Sequence, residues 1–318
     1  MNDNINIIFK VAPVILLMAL GVFFEKTGFI SKEAIKGMNK VVVNFSLPSL
    51  LFLAFLRTEL KPEYALISLV VFITCMLGFA MGFLFKKLQR NTNQFYPPLF
   101  SSFATGLVGY PFFISVFGSE QLYKLAVIDI GNALFVFILL VNFLDSVKCD
   151  KTASKRLTLK DLIINMVKSP LMIGIVLGIL ISLSGSAAYF QTAPATVALT
   201  ATVTMIANTT VPIIMLVIGY ELHFDLKNLI APVFSVLLRL IMMVTFAYLL
   251  NAFVVVRILG PDKLFQMALY TMFILPPAYV IPVFITGECE EKNFTLNFLS
   301  IHLIFSIIAF IVLIAVIR

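Results

Sequence analysis

The chain has no tryptophan, two histidines and three cysteines, and only 12% of its 318 residues are charged. Each shortage excludes something. Soluble domains carry roughly 25% charged residues, so a chain this poor in charge lacks the polar surface that water requires. Cys75, Cys149 and Cys289 are odd in number, far apart and without metal-ligand spacing, which leaves ordinary thiols rather than a disulfide framework or a thiolate metal site. No Gly-x-x-x-x-Gly-Lys-Ser/Thr loop occurs, so no segment is built to cradle ATP phosphates. Nor is there a nucleophile paired with a base. These absences point away from an enzyme and imply no metal and no cofactor. Without tryptophan, interfacial anchoring falls to tyrosines such as Tyr64, Tyr96 and Tyr123.

What is present is apolar. Hydrophobic residues make up 61% of the chain, and the mean hydropathy is +1.05. Ten apolar runs stand out, at 7–24, 34–56, 63–85, 96–118, 121–146, 163–184, 194–220, 229–256, 264–287 and 294–316. Runs of about 18 residues or more are long enough to span a bilayer, and ten of them cannot all be buried in a soluble fold of this size. The expectation is an all-α polytopic protein of the plasma membrane, with the lipid bilayer as its first partner. The N-terminus carries Asp3, no basic cluster and no small-residue cleavage pattern, so the first run is expected to be retained rather than removed as a signal peptide.

The formal charge of +7 would suggest nucleic acid in a soluble protein, but here the basic residues lie between apolar runs and read as topology signals, with no nucleic-acid partner. If the loop after the first run is cytoplasmic, 15 of the 23 Lys and Arg residues fall on the cytoplasmic side. That bias places both termini outside and the Lys- and Arg-rich 147–162 segment in the cytoplasm.

The chain also repeats itself. Pro13 and Gly21 recur as Pro170 and Gly178, 157 positions later; Asn44 and Pro48 recur as Asn208 and Pro212, 164 later; and Asn132 recurs as Asn297, 165 later. The expected domains are therefore a first repeat (1–146), a linker (147–162) and a second repeat (163–318). Five spans per repeat is an odd number, so the copies run in opposite directions through the membrane, an architecture common among secondary transporters.

Within the repeats, the fourth run contains Thr105-Gly106-Leu107-Val108-Gly109-Tyr110-Pro111, and the ninth contains Leu275-Pro276-Pro277-Ala278-Tyr279. Proline removes a backbone donor and glycine lowers the cost of unwinding, so both runs are expected to break near their centres. An offset of 165 or 166 pairs Pro111 with Pro276 and Pro277. Broken helices leave backbone groups and helix ends open to a solute, although proline kinks are also common as plain structure.

Asp129 lies three residues before Asn132, on the same helix face. At such depth a carboxylate reads as a coupling group for a proton or sodium ion, or as a partner that fixes a cation. Arg239 reads either as a clamp for a solute carboxylate or as that partner of Asp129. His302 shares a helix face with Ser306 and is a packing residue or a proton carrier. Asn44 and Asn208, each four residues before a proline, can satisfy carbonyls at kinks or bind solute oxygens. By offset, Asp129, Arg239 and His302 correspond to Phe294, Thr74 and Phe137, so the charged chemistry is not duplicated.

Taken together, Leu20-Gly21, the turn Lys26 to Ser31, Asn44 to Pro48 with Leu50-Leu51-Phe52, Thr105-Gly106 with Gly109 and Pro111, Asp129 with Gly131-Asn132, Asn208 to Pro212 with Gly219, and Pro276-Pro277-Ala278 resemble the auxin efflux carrier family, whose bacterial members include malate and malonate permeases. The resemblance covers nearly the whole chain and departs at Ala104 and at Tyr279-Val280. It implies ten transmembrane helices in two inverted five-helix repeats, with crossed broken helices 4 and 9. It also implies a scaffold from spans one, two, six and seven, a transport domain from the rest, and a homodimer through the scaffold.

The implied function is secondary active transport of small organic carboxylates, malate-like or malonate-like, by exchange or cation coupling. An exporter of auxin-like or other hydrophobic anions, or a membrane sensor, is the alternative. The candidate solute-binding residues are Gly109, Tyr110, Pro111, Asn132, Arg239, Pro276, Pro277, Ala278 and Asn297. Asp129 and His302 stand in charge support, and Asn44 and Asn208 in the scaffold.

Overall fold

A computed structural model describes residues 2–56, 58, 61–147, 164, 168–222, 229–285 and 290–317. Nearly all of the expected linker, from 148 to 162, lies outside the described residues, as do Cys149 and Cys289. Among the described residues there is no β-strand.

Among the described residues, six helical stretches are long and apolar enough to cross a membrane: Lys32–Leu56, Pro62–Leu88, Ser119–Ser146, Pro194–Glu221, Ile230–Leu259 and Glu291–Val316. The helix Asn2–Thr27 coincides with the first expected span, and Pro170–Leu183 is shorter, at 14 residues. The runs 96–118 and 264–287 are not continuous helices. Large apolar side chains such as Leu16, Leu77, Ile241 and Val312 are exposed along these helices. Water would penalise that surface, whereas acyl chains do not.

The chain divides into two compact units. The first comprises Met1–Pro62, Gly106–Ala126 and Asn165–Leu222, and the second Glu63–Thr105, Val127–Ile164 and His223–Arg318. The division falls inside the fourth apolar run, between Thr105 and Gly106.

In the first unit, Asn2–Thr27 packs along Thr210–Glu221, and Leu47–Leu56 along Pro170–Leu183. Glycine makes both approaches close. A Cβ on Gly21 would overlap the Leu216 carbonyl oxygen and lie 2.8 Å from Tyr220 N, and a Cβ on Gly178 would lie 2.7 Å from Phe52 O and 2.9 Å from Phe55 Cβ. The residues that crowd Gly21 are Leu216, Gly219 and Tyr220; those that crowd Gly178 are Phe52, Phe55 and Leu56, each 164 positions earlier. One helix contact is thus built twice, with the two sequence halves exchanged.

Local chemistry starts and bends these helices. Ser31 caps Lys32–Val41 by accepting from Ala34 N. A π-helical turn, Val42–Ser46, follows just before Pro48, which has no N–H to donate. There the Asn44 amide donates to Lys40 O at 2.7 Å. Ser46 and Thr209 join hydroxyls at 2.7 Å, and Ser182 donates to Thr58 O at 2.6 Å.

In the second unit, the long helix Pro62–Leu88 accepts its neighbours at glycines. A Cβ on Gly82 would sit 2.7 Å from Pro97 O, and one on Gly78 would overlap Phe100 O, so the 3-10 turn Pro97–Phe100 lies directly on this helix. On the helix Leu122–Phe135, Gly131 meets the Ser68 carbonyl, and the Ser68 hydroxyl donates to Val127 O at 2.8 Å. Phe79 packs edge-on against Phe135 and Phe143, with ring centroids 6.1 and 5.0 Å apart, the geometry aromatic pairs favour.

Candidate functional site

Two breaks in helical structure meet inside the second unit. The first follows Pro97–Phe100 and runs from Ser101 to Ala104. The second follows Lys263–Phe273, a helix capped at its start by Asp262, and runs from Ile274 to Val280. Its cause is local: neither Pro276 nor Pro277 has an N–H, so the carbonyls one turn earlier lose their helical donors. The breaks bond to each other. Ala104 N–H donates to Pro276 O at 2.8 Å, and Ala278 N–H donates to the Ser102 hydroxyl at 3.3 Å.

Side chains satisfy the remaining backbone groups, as a buried irregular segment requires. Asn132 binds both sides of Phe103: its Oδ1 accepts from Phe103 N–H at 3.0 Å, and its Nδ2 donates to Phe103 O at 3.1 Å. The second hydrogen of Nδ2 goes to Asp129 Oδ1 at 2.8 Å. A backbone N–H only donates, so Phe103 N–H fixes which way the Asn132 amide faces, and Asp129 Oδ1 takes the remaining donor. In this geometry the shared helix face of Asp129 and Asn132, predicted from their spacing, is a backbone clamp.

Arg239, on the helix Ile230–Leu250, is fully buried. Its Nη2 donates to Ser102 O at 2.6 Å, and its Nη1 donates to Leu275 O at 3.3 Å. Nη1 also lies 3.3 Å from His302 Nε2, and the guanidinium sits over the Phe103 ring, 5.5 Å from its centroid. Its Nε makes no hydrogen bond among the described residues. The acceptors that bind this cation are therefore neutral.

The partners of His302 settle its tautomer. Arginine can only donate, so Nε2 must accept and Nδ1 must carry the proton. Nδ1 lies 3.1 Å from Ser306 Oγ, which itself donates to Ile274 O at 2.6 Å and is 2.8 Å from His302 O. Arg239, His302 and Ser306 thus form one chain ending on carbonyls of both breaks.

The fourth run does not break at Pro111. Thr105–Phe117 is one continuous helical stretch, and Pro111 sits within it, where the π-helical turn Thr105–Gly109 passes into the α-helix Tyr110–Phe117; the shift of hydrogen-bond register at that junction accommodates the N–H that proline lacks. Gly109 ends the preceding π-helical turn Thr105–Gly109, and Gly109, Tyr110 and Pro111 all belong to the first unit. After the second break, Pro282 stands in the 3-10 turn Ile281–Phe284.

Asn132, Asp129, Arg239, His302, Pro276, Pro277, Ala278 and Asn297 all lie in the second unit. Asn297 is buried in the helix Glu290–Ile317. Asn44 and Asn208 lie in the first unit and are exposed. The sequence reading missed Ser102, although two consecutive serines inside an apolar run were a signal. It placed Ser306 beside His302 without giving it a task. Among the described residues no group of three or more His, Cys, Asp or Glu could hold a metal ion.

A family model described as membrane transport protein matches residues 6–318. An uncharacterized transporter of Methanothermobacter thermautotrophicus is 28% identical over 129 residues, 39% of this chain and 43% of that protein. An uncharacterized transporter of Methanocaldococcus jannaschii is 25% identical over 216 residues, 66% of this chain and 67% of that protein. The chain therefore matches less than half the length of the first relative and about two thirds of the second. With the family model covering nearly its whole length, the chain belongs to the membrane transport protein family, that of the auxin efflux carriers, and is a multi-pass membrane transporter.

Proposed function

We propose that this transporter carries small organic carboxylates, malate-like or malonate-like, by alternating access, with the solute bound at the two breaks of the second unit. One observation carries the reading: a fully buried guanidinium stands behind both breaks, and its hydrogen bonds go to two carbonyls and a neutral imidazole. Neutral acceptors leave its field in place. A unit charge about 8 Å away at an effective dielectric constant near 20 is attracted by roughly 2 kcal/mol, enough to favour an anion over a neutral solute about thirtyfold.

Open donors accompany that charge. The hydroxyls of Thr105 and Thr271 are buried and have no hydrogen-bond partner among the described residues, and a carboxylate oxygen suits both. Asp129 is the group for a coupling proton or sodium ion. The doubled glycine contact of the first unit supports two inverted five-helix repeats, hence ten spans, since halves exchanged in sequence and matched in contact are what such a duplication produces. The charge bias supports cytoplasmic placement of 147–162 with both termini outside, and the family supports a homodimer.

The test is counterflow. Purified protein in liposomes loaded with unlabelled malate should accumulate external labelled malate, and malonate should compete. A panel of di- and monocarboxylates that gives no counterflow sinks the proposal.

A further inference from the structure

We infer that Arg239, His302 and Ser306 are a positioning relay that sets the register of the two breaks, and that Arg239 is not a ligand of the transported solute. Both breaks expose carbonyls, and the relay reaches three of them across two segments distant in sequence: Ser102 O and Leu275 O through the guanidinium, and Ile274 O through the Ser306 hydroxyl. The planar fork of the guanidinium is what lets one residue hold both segments, because its two terminal nitrogens point in fixed directions.

His302 makes the fork directional. By accepting at Nε2 it holds Nη1, and by donating at Nδ1 it aligns the Ser306 oxygen. Every member is at most 1% exposed. With carbonyls and imidazole on its terminal nitrogens and the Phe103 ring on its face, only Nε is left without a partner among the described residues; the guanidinium acts through the backbone it positions and, at a distance, through its charge, which Arg239→Lys retains. The inference does not need the carboxylate assignment, since the relay is defined by contacts within the chain.

The test uses conservative variants of the full chain in nanodiscs, read by amide hydrogen exchange of peptides that contain Ala104 and Ala278. Glutamine places its amide near the Nε2 position and keeps an acceptor for Arg239, whereas asparagine places its amide near Nδ1 and loses that acceptor. His302→Gln, which keeps the acceptor for Nη1 and gives up only the Nδ1 contact to Ser306, should stay within about threefold of wild-type exchange at both breaks, and His302→Asn should exchange about tenfold faster there, with Asn2–Thr27 and Thr210–Glu221 unchanged. Arg239→Lys keeps the charge without the fork and should behave like His302→Asn. Equal exchange in the two His302 variants, or wild-type protection in Arg239→Lys, overturns the relay; if Arg239→Lys does not fold, the His302 pair decides.

A second arm uses labelled malate in liposomes. In Arg239→Lys the maximal rate should fall at least tenfold while the apparent KM stays within threefold. A KM raised tenfold at an unchanged maximal rate makes Arg239 a solute ligand and overturns the inference. Should malate give no counterflow in wild-type protein, the carboxylate proposal fails while the exchange arm still tests the relay.

Discussion

Replacing Gly21 or Gly178 with alanine should destabilise the first unit, while the same change at Gly37 should stabilise it. Gly37 lies in the middle of Lys32–Val41, is exposed, and has nothing within 4 Å of a new Cβ. There alanine adds only helix propensity, about 0.5–1 kcal/mol. At Gly178 the new Cβ falls 2.7 Å from Phe52 O, about 0.7 Å inside ordinary contact at 3.4 Å. Its neighbours are backbone atoms and the Cβ of Phe55, which cannot swing away as a side-chain tip would.

Moving the helices apart by 0.5–1 Å forfeits roughly a quarter to a half of each atomic contact of about 0.1–0.2 kcal/mol. Over the few dozen contacts of a helix crossing, the net loss is about 1–3 kcal/mol, as measured for overpacked cores. Gly21 meets the Leu216 carbonyl more closely still, so its variant should be at least as damaged. Thermal unfolding of purified protein in detergent, followed by circular dichroism, should show midpoints lowered by several degrees for both variants and raised slightly for Gly37→Ala. Midpoints for Gly21→Ala and Gly178→Ala matching that of Gly37→Ala would refute the close contact, and a loss at only one would refute the duplication of that contact.

Two further outcomes follow from the second unit and from the corrected break. Asn132→Asp preserves shape but swaps the donor that faces Phe103 O and Asp129 for a second acceptor; it should cost about 2–4 kcal/mol by the desolvation of unpaired groups, seen as a lower unfolding midpoint, and a midpoint within 1 °C of wild type would remove Asn132 from the clamp. Pro111→Ala, inside the continuous helical stretch Thr105–Phe117, returns a backbone N–H at the junction of the π-helical turn and the α-helix; it should not lower the unfolding midpoint, and a loss of more than about 1 kcal/mol in the same assay would restore Pro111 as a determinant of the break.

The membrane class and most helices were legible because apolar length is a one-dimensional property. Lys32–Leu56, Pro62–Leu88, Ser119–Ser146, Pro194–Glu221, Ile230–Leu259 and Glu291–Val316 each begin and end within a few residues of runs read from composition. The glycines at 21 and 178 were legible as a repeat but not as contacts. Which residue a glycine admits depends on the partner helix, and Leu216 and Phe52 carry no mark of that role in their own identities.

The position of the first break was misread for a physical reason. Proline and glycine mark where a helix can start or bend, and Gly109-Tyr110-Pro111 marks a change from π- to α-helical winding within Thr105–Phe117; what interrupts the run is Ser101 to Ala104, whose backbone groups find better partners than the next turn offers. Ser102 O, Phe103 N–H and O, and Ala104 N–H are all taken by groups from distant segments, and no local propensity encodes that. The same holds for Arg239. A buried cation invites a search for an anion, yet a guanidinium is equally a device for collecting carbonyls, and two broken helices supply them. Deciding between these uses requires knowing where the breaks lie, which is why a sequence can show that Arg239 matters and a structure is needed to show what it holds.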